Sequence, residues 1–227
     1  MIFDYYYLIL VVPTLILSLI AQILVKSTFS KYSQIRCSKK ITGLDAALLL
    51  MEVNSINDVA VEQVGGSLTD HYDPGAKKLR LSDPVYGQPS IAAVGVAAHE
   101  TGHAIQHARK YGPLVLRSTL VPVANIGSSF GPWMAIAGIF LSIPILINIG
   151  IIFFGAAVCF YVITLPVEFN ASSRALAILK SGNVLTAEEL NGVKKVLTAA
   201  ALTYVASALT AVMSLLRLIL LSRGRRR

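Results

Sequence analysis

Residues 118–166 read STLVPVANIGSSFGPWMAIAGIFLSIPILINIGIIFFGAAVCFYVITLP, 49 positions without one Asp, Glu, Lys or Arg. An α-helix needs about 20 apolar residues to cross the hydrocarbon core of a bilayer. The stretch is too long for one crossing and suits two joined by a turn. Pro144 or Asn148-Ile149-Gly150 supplies that turn, which predicts a hairpin of roughly 119–142 and 146–166.

The rest of the chain fits a membrane protein. It has 227 residues, 55% hydrophobic and only 14% charged, with a mean hydropathy of +0.66. A soluble domain carries about 25% charged residues. Residues 5–25, YYYLILVVPTLILSLIAQILV, form another uncharged span, with Tyr5, Tyr6 and Tyr7 at one interface and Lys26 at the other. Asp4 is the only early charge, so the segment reads as an uncleaved anchor rather than a signal peptide. Val196 to Leu216 is a fourth apolar stretch, ending in Arg217 and a basic tail.

Residues 26–117 differ. They hold 11 of the 20 Lys and Arg and most of the 12 acidic residues, so this part can fold in water. Thr42 and Asp45 form a capping box before the apolar run Leu44 to Val53. Val59 to Val64 and Lys77 to Leu81 read as strands, with Gly65-Gly66 and Asp73-Pro74-Gly75 as breaks. Ser90 is an N-cap for a helix to about Arg109, stopped by Gly112-Pro113. Thr186 and Glu189 form a second capping box, opening a helix near Ala187 that continues into the last apolar stretch. The expected divisions are an anchor at 1–25, a catalytic part at 26–117, a hairpin at 118–167, a third-ligand helix and connector at 168–195, and an apolar helix with a basic tail at 196–227. Cys37 and Cys159 are too few for a disulfide framework. The net charge of +8 fits flanks that orient spans, and no RNA- or DNA-binding motif stands out, so nucleic acid is not an expected partner.

Three of the four histidines lie within His99-Glu100-Thr101-Gly102-His103-Ala104-Ile105-Gln106-His107. Residues four apart on a helix share a face, so His99 and His103 can bind one Zn²⁺. Glu100 then sits beside the metal-bound water as general base, taking its proton and passing it to the leaving amine. The preceding segment, Ile91 to Ala98, is small and apolar and wants burial. A buried His and Glu need partners. His107 lies about 12 Å along the axis from His99, too far to share the ion, and reads as a residue that supports the site from behind the ligands or is simply polar. Gln106 and Arg109 stand where a metzincin would have Gly and His. Glu168, in the segment Glu168 to Leu176, is the candidate third ligand. Pro166 favours a helix start there, and Ala171, Ser172 and Ala175 form a small-sided face that permits close approach. Glu168 must share a side of the membrane with His99, so the charge-free stretch between them must cross an even number of times, as its length already indicates.

Asp70-His71-Tyr72-Asp73-Pro74, Leu79-Arg80-Leu81-Ser82 and Val96 to Gln106 resemble the YugP-type family of neutral zinc metallopeptidases of bacterial membranes. The likeness covers nearly the whole chain. It implies a zinc-dependent peptidase with Glu168 as third ligand. The pattern Glu168 to Ser172 is similar to the Glu-x-x-Ala-Asp of HtpX-type and CAAX prenyl protease membrane peptidases, where the Asp often orients a zinc-bound His; here the residue is Ser172. The resemblance also draws attention to His71 and Tyr72 as donors to the oxyanion that forms on the scissile carbonyl. Gly65 to Thr69 is an alternative edge strand that would pair with an extended peptide.

The expected protein is mainly α, with four apolar or transmembrane helices around a small zincin-like catalytic part and a short β element. The expected activity is zinc-dependent hydrolysis of peptide bonds by Glu100-assisted attack of zinc-bound water. The substrates implied are membrane or misfolded polypeptides at the lipid bilayer of a bacterial cell. An adaptor that binds zinc and cleaves nothing is the alternative, and the intact Glu100 argues against it. An intramembrane protease of the site-two kind needs an Asp in a later span, and no Asp follows Asp83. Fifteen Lys and Arg fall in 26–117 and 168–195 against five from Arg217 onward, which places the active site on the cytoplasmic side.

Overall fold

The computed structural model describes residues 4–224. It is mainly helical, with one small sheet. Helix α1 (Val12–Ser33) follows a π-helical turn at Tyr7–Val11. Pro13 explains that turn. Its ring leaves no room for the carbonyl four residues back, and the helix widens until Val12 N–H reaches Tyr7 O. Then come α2 (Gly43–Val53), β1 (Ala60–Val64), β2 (His71–Asp73), β3 (Lys78–Ser82), the single turn α3 (Asp83–Tyr86), α4 (Ile91–Ala108), α5 (Gly112–Leu141), α6 (Pro144–Ser181) and α7 (Ala187–Gly224). Among the described residues four helical stretches are long and apolar enough to cross a membrane: Tyr7–Ser33, Gly112–Leu141, Pro144–Ser181 and Ala187–Arg223.

The chain packs as two units, and α1, α5, α6 and α7 each contribute a length to both. One unit comprises 23–114 and 167–201. Both capping boxes form here. Thr42 Oγ1 accepts from Asp45 N while Asp45 accepts from Thr42 N, and Thr186 with Glu189 does the same. In the sheet β3 is central, parallel to β1 and antiparallel to β2, with His71 opposite Arg80 and Tyr72 opposite Leu79. Leu79 and Leu81 alternate inward to meet Ala92, Ala93 and Ala97 of α4. Ser90 caps α4 by accepting from Ala93 N. The other face of α4, with Val94 and Ala98, packs with Leu50, Leu179 and Val193.

The other unit comprises 4–22, 115–166 and 202–224 of the described residues. Its helices meet through glycine. A Cβ on Gly127 would lie 2.1 Å from Phe153 O, and one on Gly150 2.4 Å from Ala135 N. Such close backbone approach is how apolar helices associate where lipid removes the hydrophobic drive. Asp4 pairs with Arg217, whose guanidinium also lies over the Tyr7 ring at 5.0 Å.

Three expectations need correction. Gly65 to Thr69 is not a strand: Gly66 and Leu68 have φ of +101° and +59°, left-handed values that an extended chain does not hold. The edge strand is β2 instead, three residues too short to show alternation. Helix α4 stops at Ala108, ahead of Gly112-Pro113 as expected, but the first hairpin helix opens on that pair rather than near 119. Pro166 does not start the Glu168 helix. It lies inside α6, which runs unbroken from Pro144 to Ser181. A proline costs a helix one hydrogen bond, here that to the Val162 carbonyl four residues back, and a helix in apolar surroundings tolerates it.

Candidate active site

Helix α4 carries His99, Glu100 and His103, and α6 carries Glu168. The two imidazoles lie edge to face with centroids 4.8 Å apart, the arrangement expected of positions one turn apart. Glu168 is 2% exposed. Its Oε2 is 3.2 Å from His99 Nε2 and 3.5 Å from His103 Nε2. One ligand atom from each of the three residues lies within 4.8 Å of the others, and no other such group of His, Cys, Asp or Glu occurs among the described residues.

Gly102 makes this proximity possible. A side chain there would strike the main chain of Ala171, so α4 and α6 touch backbone to backbone one turn beyond Glu168. Ala171 and Ala175, both fully buried, continue the contact face. The small-residue face read from the sequence therefore performs the approach expected of it.

The outer nitrogens of both imidazoles are engaged. His99 Nδ1 is 3.0 Å from Ser172 Oγ, and His103 Nδ1 is 3.0 Å from Gln106 Oε1. The amide of Gln106 in turn donates to Val167 O and Asn170 Oδ1, and Arg174 Nε donates to Asn170. Both Nε2 atoms are left facing the Glu168 carboxylate. Two imidazoles and a carboxylate, buried and already oriented from behind, suit Zn²⁺ with a position left open. Burial pulls the His103 pKa down, but the hydrogen bond it donates to Glu168 and the charges of Glu100 and Glu168 outweigh it and hold the imidazole above its ordinary value. A proton and a cation thus compete for one lone pair.

Glu100 stands apart from this group. Its Oε2 accepts from the backbone N–H of Tyr72, 3.1 Å away on β2. The Tyr72 ring points elsewhere: its hydroxyl is 2.7 Å from His107 Nδ1. The pair borders a cavity of about 300 Å³ with Ile56, Asp58, Val59 and Ala104 in its lining. Burial, then the charges of Asp58 and Asp73, push the Tyr72 phenol up to about 12. His71 faces the other side of β2, where its Nδ1 donates to Thr69 O and Arg80 donates to its Nε2 at 3.3 Å. Of the four residues singled out beyond the motif, the structure brings Ser172 to a ligand histidine and Tyr72 to Glu100. His107 meets Tyr72, and His71 meets none of them.

Sequence reasoning missed Gln106 and Asn170. The signal was available for Gln106, which lies three residues after His103 on the same helix and has no apolar reason to be buried.

Comparison with known proteins now bears on this geometry. Residues 7–223 match the family described as "Putative neutral zinc metallopeptidase". The chain belongs to that family. A relative named "Putative membrane protease YugP", from Bacillus subtilis (strain 168), is 50% identical over 215 residues, which span 95% of this chain and 96% of that protein. No solved structure matches the chain. The four apolar helices and the membership agree on a zinc peptidase family of membrane proteins.

Proposed function

We propose that this chain is a membrane-embedded zinc metalloendopeptidase in which His99, His103 and Glu168 hold the metal and Glu100 is the general base. The observation that carries the reading is the convergence of one ligand atom each from His99, His103 and Glu168, with Glu100 on the same helix α4 and held separately by the sheet. When bound, zinc makes water acidic near neutral pH and polarises a carbonyl. The protein's own groups do the rest. The Tyr72 N–H holds Glu100 Oε2, and the other carboxylate oxygen takes the proton of the attacking water. As the water oxygen bonds to the scissile carbonyl carbon and the C–N bond breaks, Glu100 returns that proton to the departing amine nitrogen. The substrate is an unfolded or membrane polypeptide, and the excess of Lys and Arg in 26–117 and 168–195 supports a cytoplasmic active site.

Zinc content and cleavage of an unfolded protein such as casein test this reading, for wild type and Glu100→Gln in detergent. Both proteins should bind about one zinc, and loss of the base should lower the rate by about 10²- to 10⁴-fold. Zinc binding without cleavage by either protein, across a broad substrate panel, would favour the adaptor. A wild type that binds no metal would remove the basis of the proposal.

A further inference from the structure

A neutral imidazole carries its hydrogen on either nitrogen, and the choice decides whether the other offers a lone pair. For His103 the surroundings make that choice. Gln106 is fully buried, and its amide group makes three hydrogen bonds. The amide nitrogen is 2.8 Å from Val167 O, a main-chain carbonyl that can only accept. It is also 3.0 Å from Asn170 Oδ1. The Asn170 atom is identified independently, because Arg174 Nε can only donate and lies 2.7 Å from it. Turning the Gln106 amide over would set oxygen against oxygen at both contacts. Its Oε1 must therefore face His103 Nδ1, and an oxygen there accepts.

We propose that Gln106 is a positioning residue that holds a proton on His103 Nδ1, so that Nε2 is the nitrogen left to give its lone pair to a metal, and that Asn170 and Arg174 hold Gln106 in that orientation. The proposal rests on the metal-centre reading for its purpose but not for its geometry. Val167, Asn170 and Arg174 lie on one face of α6, the helix that carries Glu168. The segment that supplies the third ligand thus also sets the second histidine. His99 is treated differently: Ser172 Oγ both donates and accepts, so it orients that ring without dictating its tautomer.

The test uses the full-length protein in detergent micelles, with ¹⁵N-labelled histidine, free of metal. The His103 signal is assigned by its loss in His103→Gln. Wild-type His103 should show a protonated Nδ1, while its Nε2 faces the Glu168 carboxylate and keeps a proton until zinc displaces it, and Gln106→Met should draw the proton off Nδ1 and leave the ring protonated on Nε2 alone. Zinc affinity, measured by chelator competition, should fall about 10- to 100-fold in Gln106→Met. Asn170→Ala, at the far end of the chain of bonds, should shift both readouts the same way by a smaller amount, and it decides the matter if Gln106→Met does not fold. A buried glutamine with a merely structural role would lower the melting temperature and leave the tautomer and zinc affinity unchanged; that result overturns the proposal. So does a wild-type His103 without a proton on Nδ1. If wild type shows the Nδ1–H form yet binds no zinc, the lock stands and the metal-centre reading fails.

Discussion

Gly102→Ala is the sharpest test of how the site is assembled. A Cβ at this position would lie 2.7 Å from Ala171 O and 3.1 Å from both Ala171 C and Cα, all main-chain atoms that no rotamer can move. Ordinary contact begins near 3.4 Å, so α4 and α6 must separate locally by about 0.7 Å. Glu168 sits one turn earlier on the same stiff helix. Metal sites hold their ligands within about 0.2 Å of the preferred distance, so the imposed shift is roughly three times the tolerance. Overpacking costs about 1–3 kcal/mol, and Ala over Gly inside a helix returns about 1 kcal/mol. The fold should survive with a melting temperature lowered by a few degrees, while zinc affinity falls at least tenfold, about 1.4 kcal/mol. Chelator competition and thermal melts of the metal-free protein measure the two effects. Gly155→Ala is the control, since nothing lies within 4 Å of the added methyl. A Gly102→Ala protein that melts higher and binds zinc as tightly as wild type would refute the argument that backbone contact at this glycine sets the ligand distance.

Three further outcomes are expected. Thr42→Ala removes the hydroxyl that caps α2 and should cost about 1 kcal/mol near neutral pH. The hydrogen bonds from Thr42 hold the Asp45 pKa below its ordinary value, so the part of this contribution that the hydroxyl makes by donating to Asp45 is present above that value and is lost as pH falls through the lowered one; thermal melts of the two proteins should draw closer in acid without meeting, because the cap on Asp45 N does not titrate. Cys37 is buried, and burial followed by the charge of Glu189 pushes its thiol up to about 11, so at pH 8 only about one thiol in a thousand is ionised; mass spectrometry should find iodoacetamide alkylation at least 100-fold slower in the native than in the unfolded protein, and equal rates would contradict the burial. Gly150→Leu should destabilise the contact of α5 with α6, seen as a lower melting temperature in detergent, because its Cβ would stand 2.4 Å from Ala135 N.

The placing of His99 and His103 together, and of both capping boxes, was legible because each signal was local. His99, Glu100 and His103 occupy one helix, and their spacing alone places two imidazoles on one face. Thr42 with Asp45 and Thr186 with Glu189 reach across a single turn, so their capping boxes could be read directly. What the sequence hid was set by distant partners. Three residues of β2 show no alternation, and their strand exists because β3 lies beside them. Leu68 looked fit for an edge strand, but its backbone is left-handed. Pro166 carried a rule drawn from helices in water, where a lost hydrogen bond ends the element more readily than in apolar surroundings. Gln106 looked like an ordinary polar residue until α6 supplied the carbonyl and the asparagine that fix it.

The separation of His103 from Glu168 along the chain has a consequence for biosynthesis. At about 5–20 residues per second, the 65 positions between them take roughly 3–13 s to translate. During that interval the nascent protein already carries His99, Glu100 and His103 but lacks Glu168 and the partners of Gln106. The delay spans the making of both arms of the hairpin. A ribosome that stalls anywhere within 118–166 therefore releases a protein with the motif intact and the site absent, so an unfinished chain is a latent one.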